Sequence, residues 1–149
     1  RLANAWTDAM AALAQSGLGN VTSAGARVEM IKLALSAAGE APFFGQGTAA
    51  YPVLASKYFS TVEWCSVTCP HPHNQFLFFL VEQGLIGLSL FLAYLAVIGR
   101  TALRQPPAHK AFTLAFVAVA VVAASTHSAF WLSTESHCLI LMSALIMAG

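Results

Sequence analysis

Charge is what this chain has least of. Lysine and arginine number 7 and aspartate and glutamate 6 in 149 residues, so 9% of positions are charged and the formal net charge is +1. Soluble domains carry roughly 25% charged residues. A near-neutral chain has no electrostatic footprint for nucleic acid, and that class of partner is excluded. The chain opens Arg1-Leu2-Ala3, without an initiator Met or a signal peptide. It stops within an apolar run at Ala148-Gly149, so it reads as a fragment of a longer polytopic protein. No internal repeat or low-complexity segment occurs. Cysteine is sparse, at 3 residues. Cys65 and Cys69 flank Ser66-Val67-Thr68 and, in an oxidising compartment, could close a local disulfide. Together with His71 and His73 they offer four metal ligands, but that spacing fits no common zinc pattern, and no metal is expected.

Apolar residues fill the space that charge leaves. They make up 58% of the chain, and the mean hydropathy is +0.70. The composition predicts an all-α polytopic membrane protein fragment with about three transmembrane helices and a large helical periplasmic loop. The first span is placed at 76–98, about 35 Å of helix against a hydrocarbon core of ~30 Å. The second is placed at 111–125 and the third, truncated, at 138–149. Residues 99–110 form a loop holding Arg100, Arg104 and Lys110 with no acid, and Pro106-Pro107 stops helices there. A short cationic loop is cytoplasmic by the positive-inside rule. Residues 1–75 and the 126–137 loop then face the periplasm of a bacterium, and the expected location is the inner membrane. Trp6, Trp64 and Trp131 suit an interfacial belt, and His109 a solvated flank.

The first 75 residues carry their own helices. Leu2 to Gln15 has Trp6, Met10 and Leu13 at helical spacing and reads as amphipathic. Ser23 is a candidate cap for a helix from Ala24 to Ala38, with Val28, Ile31, Leu35 and Ala38 on one face. Pro42-Phe43-Phe44-Gly45-Gln46-Gly47 is a turn, and Tyr51 to Phe59 a short helix. His71-Pro72-His73-Asn74 then stands at the lip of the first span. Titratable groups at a membrane mouth suggest chemistry at the lipid–water boundary.

The order Arg27, then Pro42-Phe43-Phe44-Gly45-Gln46-Gly47, then His73-Asn74-Gln75-Phe76-Leu77, then Glu82-Gln83-Gly84-Leu85-Ile86-Gly87 resembles the C-terminal half of the O-antigen ligase and O-antigen polymerase family. That family includes the pilin-type O-oligosaccharyltransferases. The stretch Thr126-His127-Ser128 with Glu135-Ser136-His137 looks like the family's last periplasmic loop. Ile31 stands where many members have tryptophan. The resemblance implies a membrane glycosyltransferase. Its donor would be a glycan on undecaprenyl pyrophosphate, and its acceptor lipid A–core, a growing glycan or a protein hydroxyl. It implies no cofactor, no nucleotide sugar and no obligatory metal.

Such a reaction needs a cation on the leaving pyrophosphate and a base on the acceptor hydroxyl. Arg27 suits the first, because a planar guanidinium forks onto phosphate oxygens. His73 suits the second, with an ordinary pKa of about 6.5. Asn74 orients His73 or caps the following helix. His71, Glu82, Gly45, Gly47, His127, Glu135 and His137 are candidates for substrate binding. Glu82 lies inside an apolar segment, where a charge needs a partner, and Arg27 or His73 would serve. Gly84 and Gly87 suggest close helix packing. Two rival readings use other chemistry. One is a haem- or metal-binding protein using His71, His73, His127 and His137. The other is a transporter for the same lipid-linked glycan.

Overall fold

The computed structural model describes residues 23–59, 71–128 and 133–148, with positions 7, 10, 11 and 130. Cys65, Cys69, Trp6, Trp64, Trp131 and most of the expected helix from Leu2 to Gln15 lie outside the described residues. Every regular element among the described residues is helical. In chain order they are α1 (Ser23–Glu40), α2 (Ala50–Tyr58), α3 (Gln75–Thr101), a single 3₁₀ turn (Ala102–Arg104), α4 (Pro107–Thr126) and α5 (Ser133–Ala148).

Helix α1 starts at Ser23 itself, and its buried face differs from the expected one. Ala26, Glu29, Met30, Leu33, Ala34, Ala37 and Ala38 are buried, whereas Ile31 and Leu35 are exposed. The helix is apolar on both sides, so periodicity alone could not choose. Packing chose the alanine-rich stripe, where missing side-chain bulk lets neighbouring helices come close. Met30, Leu33, Ala34 and Ala37 join Tyr51, Ala55 and Phe59 of the α2 segment and Phe78 and Val81 of α3 in one core. A second core gathers Phe91 and Leu95 of α3 with Ala120 and Ala124 of α4, ringed by Phe76, Phe79, Tyr94, Phe130 and Leu139.

Between these cores α3 is broken. Gly84 has φ 65° and ψ −161°, so 75–83 and 85–101 are two helical pieces and not one rod from 76 to 98. A break should strand the N–H groups of Leu85 and Ile86 and the carbonyls of Val81 and Glu82. The turn at 42–47 takes all four. Leu85 N–H donates to Pro42 O at 2.8 Å and Ile86 N–H to Phe43 O at 3.3 Å. Gln46 N–H donates to Val81 O at 2.7 Å and Gly47 N–H to Glu82 O at 3.1 Å. Gly84 therefore serves the close approach of another backbone, and not helix packing. A Cβ on Gly84 would collide with the carbonyl of Phe43, and one on Gly45 with the backbone of Glu82. The Gln46 side chain donates back to Ala37 O at 2.9 Å, which closes the end of α1.

Among the described residues two helical stretches are long and apolar enough to cross a membrane, one of 30 residues over Gln75–Arg104, bent at Gly84, and one of 20 over Pro107–Thr126. At 1.5 Å per residue, 20 residues give about 30 Å, the thickness of a hydrocarbon core. The apolar helix Thr134–Ala148 is shorter. Large apolar side chains such as Leu90, Val97, Val119, Val122, Leu141 and Leu145 are exposed. A water-soluble fold would bury them, and a bilayer accommodates them. The expected loop at 99–110 is smaller than anticipated. The helical path runs on through Arg104 and restarts at Pro107, which is tolerated at a helix start where no N–H is needed. Gln105 stitches this end together, accepting from Thr113 Oγ1 at 2.6 Å and donating to Ile146 O at 3.2 Å.

Gly45→Ala and Gly84→Ala should each destabilise the protein by more than the ~1–3 kcal/mol that a left-handed backbone alone costs a non-glycine residue. Gly47 also has positive φ, but a Cβ there meets open space. Gly47→Ala should therefore show only the conformational part. Thermal melts of the full-length protein in detergent check this order.

Candidate functional site

The site forms where the start of α3 meets the end of α4. Asn74 caps α3, its Oδ1 accepting from Leu77 N–H at 3.0 Å. Its Nδ2 donates to Ser125 O at 3.2 Å, across to α4. The next residue, Gln75, is 1% exposed, and its Oε1 accepts from Phe130 N–H at 2.9 Å. Two adjacent side chains thus clamp the turn after α4 onto the head of α3. His127 leaves α4 there in extended conformation, its N–H donating to Ala123 O at 2.8 Å.

This clamp brings three imidazoles together. The ring centroids of His71 and His73 are 4.3 Å apart, those of His71 and His127 5.2 Å, and those of His73 and His127 5.7 Å. One ring nitrogen from each lies within 4.8 Å of the others. His73 holds φ +49°, a left-handed backbone that histidine tolerates better than most residues. His71 is buried, and its Nδ1 has no hydrogen-bond partner among the described residues. Ser128, also buried, likewise leaves its Oγ unpartnered. Glu135 Oε1 stands 3.9 Å from His127 Nε2.

Burial, followed by the charges of His73 and His127, depresses His71 to about 4. Burial, then His127, then the Arg27 guanidinium hold His73 below its ordinary range. Both rings are therefore neutral at pH 7. Arg27 lies exposed on the first turns of α1, close enough for its charge to act on His73. It has no carboxylate partner among the described residues. Glu29 is engaged elsewhere, by Lys32 at 2.8 Å and by the Tyr58 hydroxyl at 3.1 Å.

Other expected members lie apart. Glu82 is buried about two turns into α3 and holds neither Arg27 nor His73. Its carboxylate accepts from Tyr51 N–H at 3.4 Å and from the Ala49 amide, which anchors the start of α2. Gly45 and Gly47 sit at the Gly84 break, where they serve the backbone. His137 is exposed on α5, outside the cluster of three. The pairs His71–His73 and His71–His127 meet edge-on, and His73 and His127 stack. Gln75 was not anticipated. Its one signal was an amide next to the cap and just inside an apolar segment.

The helices and this polar lip define a helical membrane protein with a titratable site at one end of its longest helix pair. The chain belongs to the O-antigen ligase family, whose profile matches residues 3–92. The matched segment holds Arg27, His71 and His73 and ends before His127, Glu135 and His137. A search of curated proteins finds no match. The family is membrane-associated and its activity is of the glycosyltransferase type, with a lipid-linked glycan and an acceptor as partners.

His71 links stability to pH. Its folded pKa, about 4, lies below the ordinary 6.5, so the unfolded chain binds its proton first as pH falls. The stabilising contribution is complete above about 6.5 and is lost progressively between 6.5 and 4. Melting temperature should fall between pH 7.5 and 5, and fall less in His71→Gln.

Proposed function

We propose that this chain carries part of the active site of an enzyme that moves a glycan from undecaprenyl pyrophosphate to an acceptor hydroxyl. The acceptor is lipid A–core, a growing O-antigen or a protein. His73 takes the proton of the acceptor hydroxyl. The acceptor oxygen attacks the anomeric carbon, the bond from that carbon to the pyrophosphate oxygen breaks, and the carrier departs as a pyrophosphate anion. Arg27 takes up the charge that grows on that leaving group. Asn74 and Gln75 position the cluster, and His71, His127 and Glu135 line the acceptor side.

The observation that supports this reading best is the pairing of a permanent cation, free of any carboxylate among the described residues, with a neutral imidazole. A cation and a base within mutual influence are what the reaction requires. Segregation of charge along the helix pair supports the orientation. Arg100, Arg104 and Lys110 lie at the end opposite the cluster of His71, His73 and His127. With the cationic end cytoplasmic, 1–75 and 126–137 face the periplasm, and the protein is a multi-pass component of the bacterial inner membrane.

In full-length protein expressed in cells, His73→Ala should cut transfer by about 10²–10⁴-fold, the usual contribution of a general base. Arg27→Ala should lose about 10²–10³-fold or more, by analogy with deleting one charge-stabilising donor. Arg27→Lys should also fail, because an ammonium cannot fork onto two phosphate oxygens. The glycan ladder reads all three. An unchanged ladder with the variants inserted in the membrane would remove both roles.

A further inference from the structure

We infer that His71, His73 and His127 form a binding site for a zinc-class divalent metal ion, a capacity beyond the transfer reaction proposed above. Three imidazole nitrogens from three residues already lie within 4.8 Å of one another. Around tetrahedral zinc, with Zn–N near 2.0–2.1 Å, such nitrogens stand roughly 3.3–3.4 Å apart. Closing the cluster onto an ion therefore requires side-chain adjustments of about an ångström.

Two further observations point to a ligand. The first is the orphaned Nδ1 of His71, a polar atom in a side chain that is 8% exposed. A buried polar atom without a partner carries a desolvation cost that a metal–nitrogen bond would relieve. The second is the left-handed backbone of His73, whose ring centroid lies 4.3 Å from that of His71 and 5.7 Å from that of His127. Glu135, 3.9 Å from His127 Nε2, is the acid placed to orient that ring or to enter the coordination shell.

Three imidazole ligands select zinc, copper, nickel or cobalt over calcium and magnesium, which require oxygen ligands. They leave a fourth position open, as catalytic and exchangeable sites do. The positive field of Arg27 favours an anion there, such as a phosphate oxygen. If His73 coordinates the ion through the nitrogen it uses as a base, a loaded site is a resting state of the enzyme.

The test uses full-length protein in detergent, stripped with a chelator and titrated with Zn²⁺ by calorimetry and with Co²⁺ by visible absorption. The expected result is one equivalent bound, with affinity falling tenfold or more in both His71→Ala and His127→Ala. His137→Ala, outside the cluster, should bind as the wild type does. The inference is overturned by absence of saturable binding, by unchanged binding in the two cluster variants, or by equal loss in His137→Ala. Should the cluster variants misfold, X-ray absorption of zinc-loaded wild type decides, and fewer than three imidazoles on the ion overturns the site. Binding is read without glycan, so the two readings fail separately. A His73→Ala protein that still transfers glycan would sink the base and leave the metal site standing.

Discussion

Four backbone groups decide how this chain is put together. A helix broken within an apolar segment cannot leave its amides and carbonyls unpaired, because hydrocarbon offers them no partner and each orphan costs several kcal/mol. At Gly84 the two donors and two acceptors released by the break are matched one for one by the turn at 42–47. The break and the turn therefore depend on each other. The glycines at both places let two backbones meet at a distance that a Cβ would block. That junction ties α1 and α2 to α3, and the side chain of Glu82, two residues before the break, reinforces it by holding the start of α2. Arg27, carried on α1, is placed relative to His73 because this junction holds.

The second fixed point is the pair Asn74 and Gln75. One side chain caps its own helix and reaches to α4, and the other receives an amide from the turn beyond it. Both are spent on backbone, and their yield is the meeting of His127 with His71 and His73, 54 or more positions away in sequence. The opposite end of the helix pair is sewn in the same way by Gln105. Side-chain amides at both ends thus fix the alignment of α3 and α4, while the stretch between relies on Phe91, Leu95, Ala120 and Ala124.

Local chemistry made much of this readable from sequence. Pro42 to Gly47 announced a turn, Asn74 a cap, and the apolar runs announced helices of spanning length. What could not be read was pairing across distance. Gly84 looked like a packing residue because the glycine-to-glycine spacing of three describes both a helix contact and a backbone crossing. Glu82 looked like a partner for a cation, yet its side chain lies beside a helix start, where free amides satisfy a carboxylate equally well. Ile31 and Leu35 looked like core because nothing polar on α1 marked the other side as interior. The cluster of His71, His73 and His127 was legible as residues but not as a contact, since the clamp that closes it includes Gln75, which carried no catalytic signal.

The electrostatics of the cluster bear on how the proposed reaction would run. At pH 7 an ordinary histidine is already mostly neutral, so holding His73 lower gains little usable base and makes that base weaker. The depression follows from gathering three rings and an arginine in partly dehydrated surroundings, and alone it would hinder proton transfer. A pyrophosphate bound at Arg27 reverses the balance. Its negative charge offsets the guanidinium and favours the imidazolium that forms as the acceptor loses its proton. Under this reading the base is poor until the anionic donor is seated and strengthens once it is there. Under the same reading, an imidazole beside a cation with no carboxylate partner among the described residues couples proton removal to the presence of its own leaving group.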